Sequence, residues 1–207
     1  MPRPPRANVC DVPCHVVHRG NNRQAVFFET ADYVRCRTEL AEAARCHACE
    51  VHAYVLMTNH IHLLATQLRP DGIARMMQWI AGRHAMHINR RRARTGTLWQ
   101  GRYHASVVVS DRHFFECQRY IELNSVRAAL VANPADYEWS SFAHNALGQE
   151  DECVTEHGLY RGLGPDPNAR LQAYKTIVTE AMSDVSLAEI RFALRRNAPL
   201  GAGLTQL

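Results

Sequence analysis

The stretch from Val51 to Ala65 constrains the fold of this chain most. It holds two runs rich in apolar residues, Val51 to Met57 and His60 to Ala65, with only Thr58-Asn59 between them. Two such runs joined by two turn-forming positions read as a β-hairpin. The second run carries histidines at alternate positions, in Thr58-Asn59-His60-Ile61-His62-Leu63-Leu64. Side chains alternate across a strand, so His60 and His62 share one face. Two imidazoles side by side on a rigid strand are half of a divalent-metal site. Burying them for any other reason requires that each find a polar partner. The hairpin alone leaves both readings open, a metal site or a satisfied structural pair.

The flanking segments place this hairpin in a larger order. Residues 14–19 read as a first strand, closed by Gly20-Asn21-Asn22, and residues 31–48 show helical periodicity through Tyr33, Leu40, Ala44 and Ala48. Pro70-Asp71-Gly72 punctuates the chain before a long helix over about 73–92, with Ile73, Met76, Met77, Ile80 and Ile88 as its apolar stripe. Residues 103–109 read as a fourth strand, and Ser110-Asp111 caps a helix over 111–124. The order β-α-β-β-α-β plus a helix predicts an α+β, ferredoxin-like fold with an antiparallel sheet, one face of which is free to carry a site. Beyond residue 130 the signals weaken, with helical periodicity near 168–182 and 186–196. The expected division is a catalytic domain over 1–145 and a helical C-terminal extension over 146–207, flexible in its last residues.

Composition narrows the function classes. No apolar run reaches the roughly 18–20 residues a membrane-spanning helix needs, and Met1-Pro2-Arg3-Pro4-Pro5-Arg6 lacks the apolar stretch of a secretory signal. The expected location is cytoplasmic. Seven cysteines, an odd number, do not suit a disulfide framework in a chain of 207 residues. Cys10 with Cys14 and Cys46 with Cys49 have spacings compatible with zinc, but short cysteine pairs read first as reduced, buried thiols. Residues 67–130 hold 11 arginines against four acidic residues, a balance of +7, whereas residues 131–207 balance at −4. Of the 24 basic residues only Lys175 is a lysine. The planar guanidinium suits bidentate contact with phosphate, so the basic middle third points to a nucleic-acid face.

A histidine pair needs further ligands and a reactive group, and the helix over 111–124 offers both. Glu116, Tyr120 and Asn124 recur every four residues and share a face, beside the apolar stripe Phe114, Cys117 and Ile121. Tyr120 therefore stands at the border of core and solvent, where a tyrosine either simply packs or presents its hydroxyl to a site. A tyrosine hydroxyl is a poor nucleophile at its usual pKa of about 10. A divalent cation alters that by polarising a phosphodiester and favouring phenolate. Two imidazoles and the Asn124 amide would make a neutral, partly open site for Mg²⁺ or Mn²⁺.

At these residues the chain resembles the HUH single-strand DNA transposases that use one tyrosine, the insertion-sequence-200-like group, and among them the REP-associated tyrosine transposases. The resemblance is carried by Ala53-Tyr54-Val55-Leu56-Met57-Thr58-Asn59-His60-Ile61-His62-Leu63-Leu64, by Gly96-Thr97-Leu98-Trp99-Gln100-Gly101-Arg102-Tyr103, and by Arg119-Tyr120-Ile121-Glu122-Leu123-Asn124-Ser125-Val126-Arg127-Ala128, within roughly residues 10–145. It implies a divalent metal held by His60 and His62, Tyr120 as nucleophile and Asn124 as third ligand. It implies cleavage and rejoining of single-stranded DNA near hairpins through a 5′-phosphotyrosine. Arg83, Arg90, Arg91, Arg92, Arg94 and Arg102 are expected along the phosphate path, and Trp99 as a stacking platform. The competing readings are a domesticated protein that binds repeat hairpins without cutting them, and a metal-dependent hydrolase of small phosphoesters. The first would bind without metal, and the second would need more acidic ligands near the histidines. Either a monomer or a homodimer suits the sequence.

Overall fold

A computed structural model describes residues 8–201. Among the described residues the strands and α-helices follow in the order β1 (Pro13–Arg19), α1 (Thr30–Cys46), β2 (Cys49–Met57), β3 (His60–Gln67), α2 (Gly72–Arg91), β4 (His104–Val107), α3 (Asp111–Glu122), α4 (Asn124–Arg127), α5 (Phe142–Leu147), α6 (Gly158–Arg161), α7 (Pro167–Thr179) and α8 (Asp184–Arg196). The N-terminal Met1–Arg6 segment and the last residues, expected to be flexible, lie outside the described residues.

The sheet order is β2-β3-β1-β4 and every pairing is antiparallel. This is the expected ferredoxin-like arrangement. β3 lies between β1 and β2, and β1 lies between β3 and β4, so each β-helix-β unit is split by a strand of the other. Alternation then fixes two faces. Val16, Tyr54, Leu56, Ile61 and Leu63 pack with residues of α1 and α2 such as Leu40, Met76, Met77 and Ile80. Val17, Val55, Met57 and Leu64 point the other way, against Phe114, Cys117, Tyr120 and Ile121 of α3 and Ile190, Ala193 and Leu194 of α8. The face expected to stand free is thus covered by α3 and α8 over part of its area, and each buried side chain of Val or Leu size stabilises the fold by about 1.5–3 kcal/mol.

Residues after 130 run back along the sheet. The Leu56 amide donates to the Trp139 carbonyl at 2.8 Å and the Thr155 amide to the Val51 carbonyl at 2.7 Å, covering the outer side of β2. At the opposite side the Leu200 amide donates to the Val107 carbonyl at 2.7 Å and the Val109 amide to the Leu200 carbonyl at 3.1 Å. No helix among the described residues is long and apolar enough to cross a membrane.

The helix expected over 111–124 stops at Glu122. Leu123 leaves helical geometry at φ −87° and ψ 9°, and the short α4 begins at Asn124. The Arg127 guanidinium donates to the Tyr120 carbonyl, the acceptor that a continuous helix would offer to the Asn124 amide. The end of α3 is also pinned from the far side. Glu122 is wholly buried, and its carboxylate accepts from Ser141 Oγ at 2.7 Å, Asn145 Nδ2 at 2.7 Å and Tyr174 Oη at 2.6 Å. Burial raises its pKa, against the pull of these three donors. A second buried polar group, His52 on β2, bonds the Thr155 carbonyl at 2.8 Å and Thr66 Oγ1 at 2.9 Å. Burial pushes its pKa down from 6.5 to about 4.

Two outcomes follow from these buried groups. Glu122→Ala strands three buried donors, and urea unfolding should register a loss of about 3 kcal/mol. His52 stays neutral in the folded chain where the unfolded chain takes up a proton. Its contribution is therefore complete above about pH 6.5 and is lost as pH falls toward 4, at up to about 1.4 kcal/mol per pH unit. Thermal melts of metal-free protein should fall over that window, and His52→Gln should flatten the slope.

Candidate active site

The antiparallel register of β1 and β3 pairs Val17 with His62, Arg19 with His60 and His15 with Leu64. His15, Val17, Arg19, His60, His62 and Leu64 therefore share the face that α3 covers. The His60 and His62 rings stand 4.9 Å apart by centroid, and the His15 and His62 rings 5.1 Å. Each imidazole is held through Nδ1 in the expected pair. His60 Nδ1 lies 2.5 Å from Asn59 Oδ1, and His62 Nδ1 lies 2.8 Å from His15 Nε2. Asn59 Nδ2 donates to the Arg23 carbonyl at 3.0 Å, which fixes the amide's orientation and leaves Oδ1 to accept the His60 proton.

All three rings are held in the neutral form. Burial first, then the Arg19 charge, pushes the His60 pKa down to about 4. Burial, then Arg127, pushes His15 down to about 3. His62 is held well below 6.5 by burial and then by its neighbours His60 and His15. A neutral imidazole whose Nδ1 donates presents a bare Nε2, the donor a borderline divalent cation takes: His60 does so toward Asn59, and His62 does so in the tautomer that donates to His15. The two residues thus fit a metal on this structure's own hydrogen bonding.

The nucleophile candidate reaches the same place from α3. Ser110 caps that helix, its Oγ accepting from the His113 amide, and Phe114, Cys117 and Ile121 dock it on the sheet. Tyr120, 8% exposed, then lies edge-on to both His15 and His62, with 5.7 Å between ring centroids in each case. The Arg127 guanidinium covers the tyrosine ring at 4.2 Å, a cation–π contact that fixes its tilt. Asn124 is buried one residue past the Leu123 bend, and its side chain makes no hydrogen bond among the described residues, to His60 and His62 included.

Tyr120 and His62 open into a cavity of about 480 Å³ whose wall includes Arg19, Arg23, Arg102, Arg191 and Arg195 and no carboxylate. Of the six arginines singled out from the sequence, only Arg102 lines it. Arg83 reaches Glu39 at 3.2 Å and covers Trp79, Arg91 pairs with Glu29, and Arg92 lies 4.0 Å over the Phe28 ring. These contacts draw them to the layer of α1 and α2. Arg90 is exposed on the same helix and Arg94 half-buried just beyond it. Trp99 does not offer an open face. It is buried, its indole N–H donates to the Ala81 carbonyl at 3.0 Å, and it stacks on His18 at 4.4 Å. Two of the cavity's arginines, Arg191 and Arg195, belong to α8, within the expected C-terminal extension.

Another group of metal-type side chains among the described residues is His113, Glu116 and Glu189, which ties α3 to α8. His113 Nε2 lies 3.5 Å from a Glu189 oxygen, while Glu116 Oε1 is already taken by Arg112 at 3.0 Å and Ser186 Oγ at 3.1 Å. No cysteine joins a ligand cluster among the described residues.

A split-βαβ sheet thus carries a histidine pair opposite a helix-borne tyrosine. Residues 8–124 match the family model described as "Transposase IS200 like", more than half of the chain, and the protein belongs to that family. Among solved structures the chain is similar to a REP-associated tyrosine transposase bound to a REP hairpin, at 18% identity and a TM-score of 0.61, over 77% of this chain and 96% of that one. A Deinococcus radiodurans R1 protein described as a transposase matches at 24% identity and a TM-score of 0.40, over 58% of this chain and 95% of that one. No curated protein matches the chain.

Proposed function

We propose that this protein cleaves and rejoins single-stranded DNA beside a hairpin, with Tyr120 as the nucleophile. The observation that carries this reading is the seating of Tyr120, edge-on to His62, on the wall of a cavity with five arginines and no carboxylate. Such a wall suits a chain of phosphates, each guanidinium offering a bidentate fork that no acidic neighbour on the wall competes for. Membership of the IS200-like transposase family supports DNA as the substrate. The hairpin held by the similar REP-associated transposase supports a hairpin-bearing strand.

In the proposed step the Tyr120 oxygen bonds to a backbone phosphorus, the bond from phosphorus to O3′ breaks, the phenol proton leaves and O3′ gains a proton. The products are a 5′-phosphotyrosine and a free 3′-hydroxyl. The phosphodiester energy is kept in the protein–DNA bond, so a second 3′-hydroxyl attacks it and rejoins the strand without a nucleotide cofactor. His60 and His62 would hold Mg²⁺ or Mn²⁺ through Nε2, with the Asn124 carboxamide as third ligand. When bound, the cation supplies charge at a non-bridging phosphate oxygen. Two imidazole nitrogens favour Mn²⁺ over the harder Mg²⁺. Arg127 holds the Tyr120 ring, and Arg19, Arg102, Arg191 and Arg195 hold the strand. In this reading one chain supplies both histidines and the tyrosine, the packing of Tyr120 against His15 and His62 of its own sheet supporting a site whole in each copy.

Incubated with a hairpin oligonucleotide bearing a single-stranded flank and Mn²⁺, the protein should form an adduct that survives denaturing electrophoresis. Tyr120→Phe should form none while still binding the hairpin. An adduct from Tyr120→Phe, or none from the wild type, sinks the nucleophile assignment, the latter leaving a binding protein. Mixing His60→Ala with Tyr120→Phe should restore nothing.

The two α8 arginines give a separate outcome. Arg191→Ala with Arg195→Ala should weaken single-strand binding and flatten its logarithmic salt dependence by about 1.4, roughly 0.7 for each phosphate no longer neutralised. Arg83→Ala, which removes a partner of Glu39, should leave that slope near the wild-type value.

A further inference from the structure

We infer that His15 is a positioning residue for the metal-binding imidazole: it accepts the His62 Nδ1 proton and so keeps the His62 Nε2 lone pair turned to the cavity. The inference rests on the reading that His62 holds the cation. Its ground is a hydrogen bond of 2.8 Å between His15 Nε2 and His62 Nδ1, made between rings that are 1% and 3% exposed. His15 sits on β1 opposite Leu64, and Val17 opposite His62, so the two histidines are diagonal neighbours on one sheet face.

A bond between two neutral imidazoles has two forms. In one, His15 donates from Nε2, and His62 carries its proton on Nε2, where it bars a cation. In the other, His62 donates from Nδ1, its Nε2 is bare, and the His15 proton sits on Nδ1. Only the second form serves a ligand. His15 Nδ1 is buried and has no hydrogen-bond partner among the described residues. An unpaired buried N–H is costly, so the second form is disfavoured in the metal-free protein. Loading the cation therefore moves one proton from Nε2 to Nδ1 on each ring, with each ring keeping a single proton. His60 needs no such change, because Asn59 Oδ1 only accepts.

The tautomers are read directly by ¹⁵N NMR of histidine-labelled, wild-type, full-length protein titrated with diamagnetic Mg²⁺. The expected result is a switch of both His15 and His62 from the Nε2-protonated to the Nδ1-protonated form, with His60 Nδ1-protonated throughout. A loaded protein in which His15 keeps its Nε2 proton overturns the inference. Mn²⁺ affinity, measured by electron paramagnetic resonance without DNA, gives the second arm. His15→Leu should bind Mn²⁺ about 10–100-fold more weakly, the size usual for loss of a partner behind a metal ligand. His15→Gln, whose amide oxygen accepts the same proton, should stay within about threefold of wild type. Both should melt near wild type and bind oligonucleotide without metal as it does. Wild-type Mn²⁺ affinity in His15→Leu, with His62→Ala binding none, overturns the role of His15 alone. Wild-type affinity in His62→Ala overturns the ligand reading beneath it.

Discussion

The pairing of β1 with β3 at the centre of the sheet is the constraint on which the rest of this molecule depends. Side chains alternate across a strand, so a slip of one residue would turn His15, Val17 and Arg19 to the side of α1 and α2 and bring Cys14, Val16 and His18 to the site. Burial on both faces prevents this. Val16 and Leu63 are locked under α1 and α2, Val17 and Leu64 under α3, and each is at most 7% exposed. The hydrophobic alternation that folds the sheet is thus the same device that aligns the three imidazoles.

The tyrosine helix is located by a second set of restraints that come from far along the chain. Glu122 is drawn toward Ser141, Asn145 and Tyr174 on one side, while two residues earlier Tyr120 meets His15, His62 and Arg127 on the other. Arg127 acts twice, over the ring and at the carbonyl of the same residue. A side chain fixed at ring and backbone loses little conformational freedom on meeting a target, which is how positioning lowers a barrier. The bend at Leu123 is part of the same arrangement, since the carbonyl that Arg127 occupies is one the helix would otherwise use to continue.

Local pattern made much of this legible. The hairpin, the alternate histidines and the strand order follow from periodicity and turn chemistry, and the tyrosine from its place at the edge of an apolar helical stripe. What stayed hidden depends on contacts distant in sequence. His15 sits three residues before His18, so alternation places the two on opposite faces, and only the register says which one meets His62. Charge counting favoured the segment of balance +7, yet Arg83 and Arg91 there are engaged by Glu39 and Glu29. Arg191 and Arg195 lie in the segment that balances at −4, where neighbouring acids masked them in any average. The break after Glu122 has no glycine or proline to announce it, and the Arg127 side chain that takes the Tyr120 carbonyl there is a contact no local pattern encodes.

The return of the chain along both margins of the sheet limits how copies of this protein meet. Unpaired strand edges are where sheets of separate molecules fuse, whether in ordered dimers or in aggregates. Here Trp139 and Thr155 occupy hydrogen-bonding positions beside β2, and Leu200 does so beside β4. Lateral growth of the sheet into a neighbour would first require peeling away segments that also carry the packing of α3 and α8. Backbone groups at both margins are thereby satisfied within the chain and do not template the fibrils that open sheet edges invite.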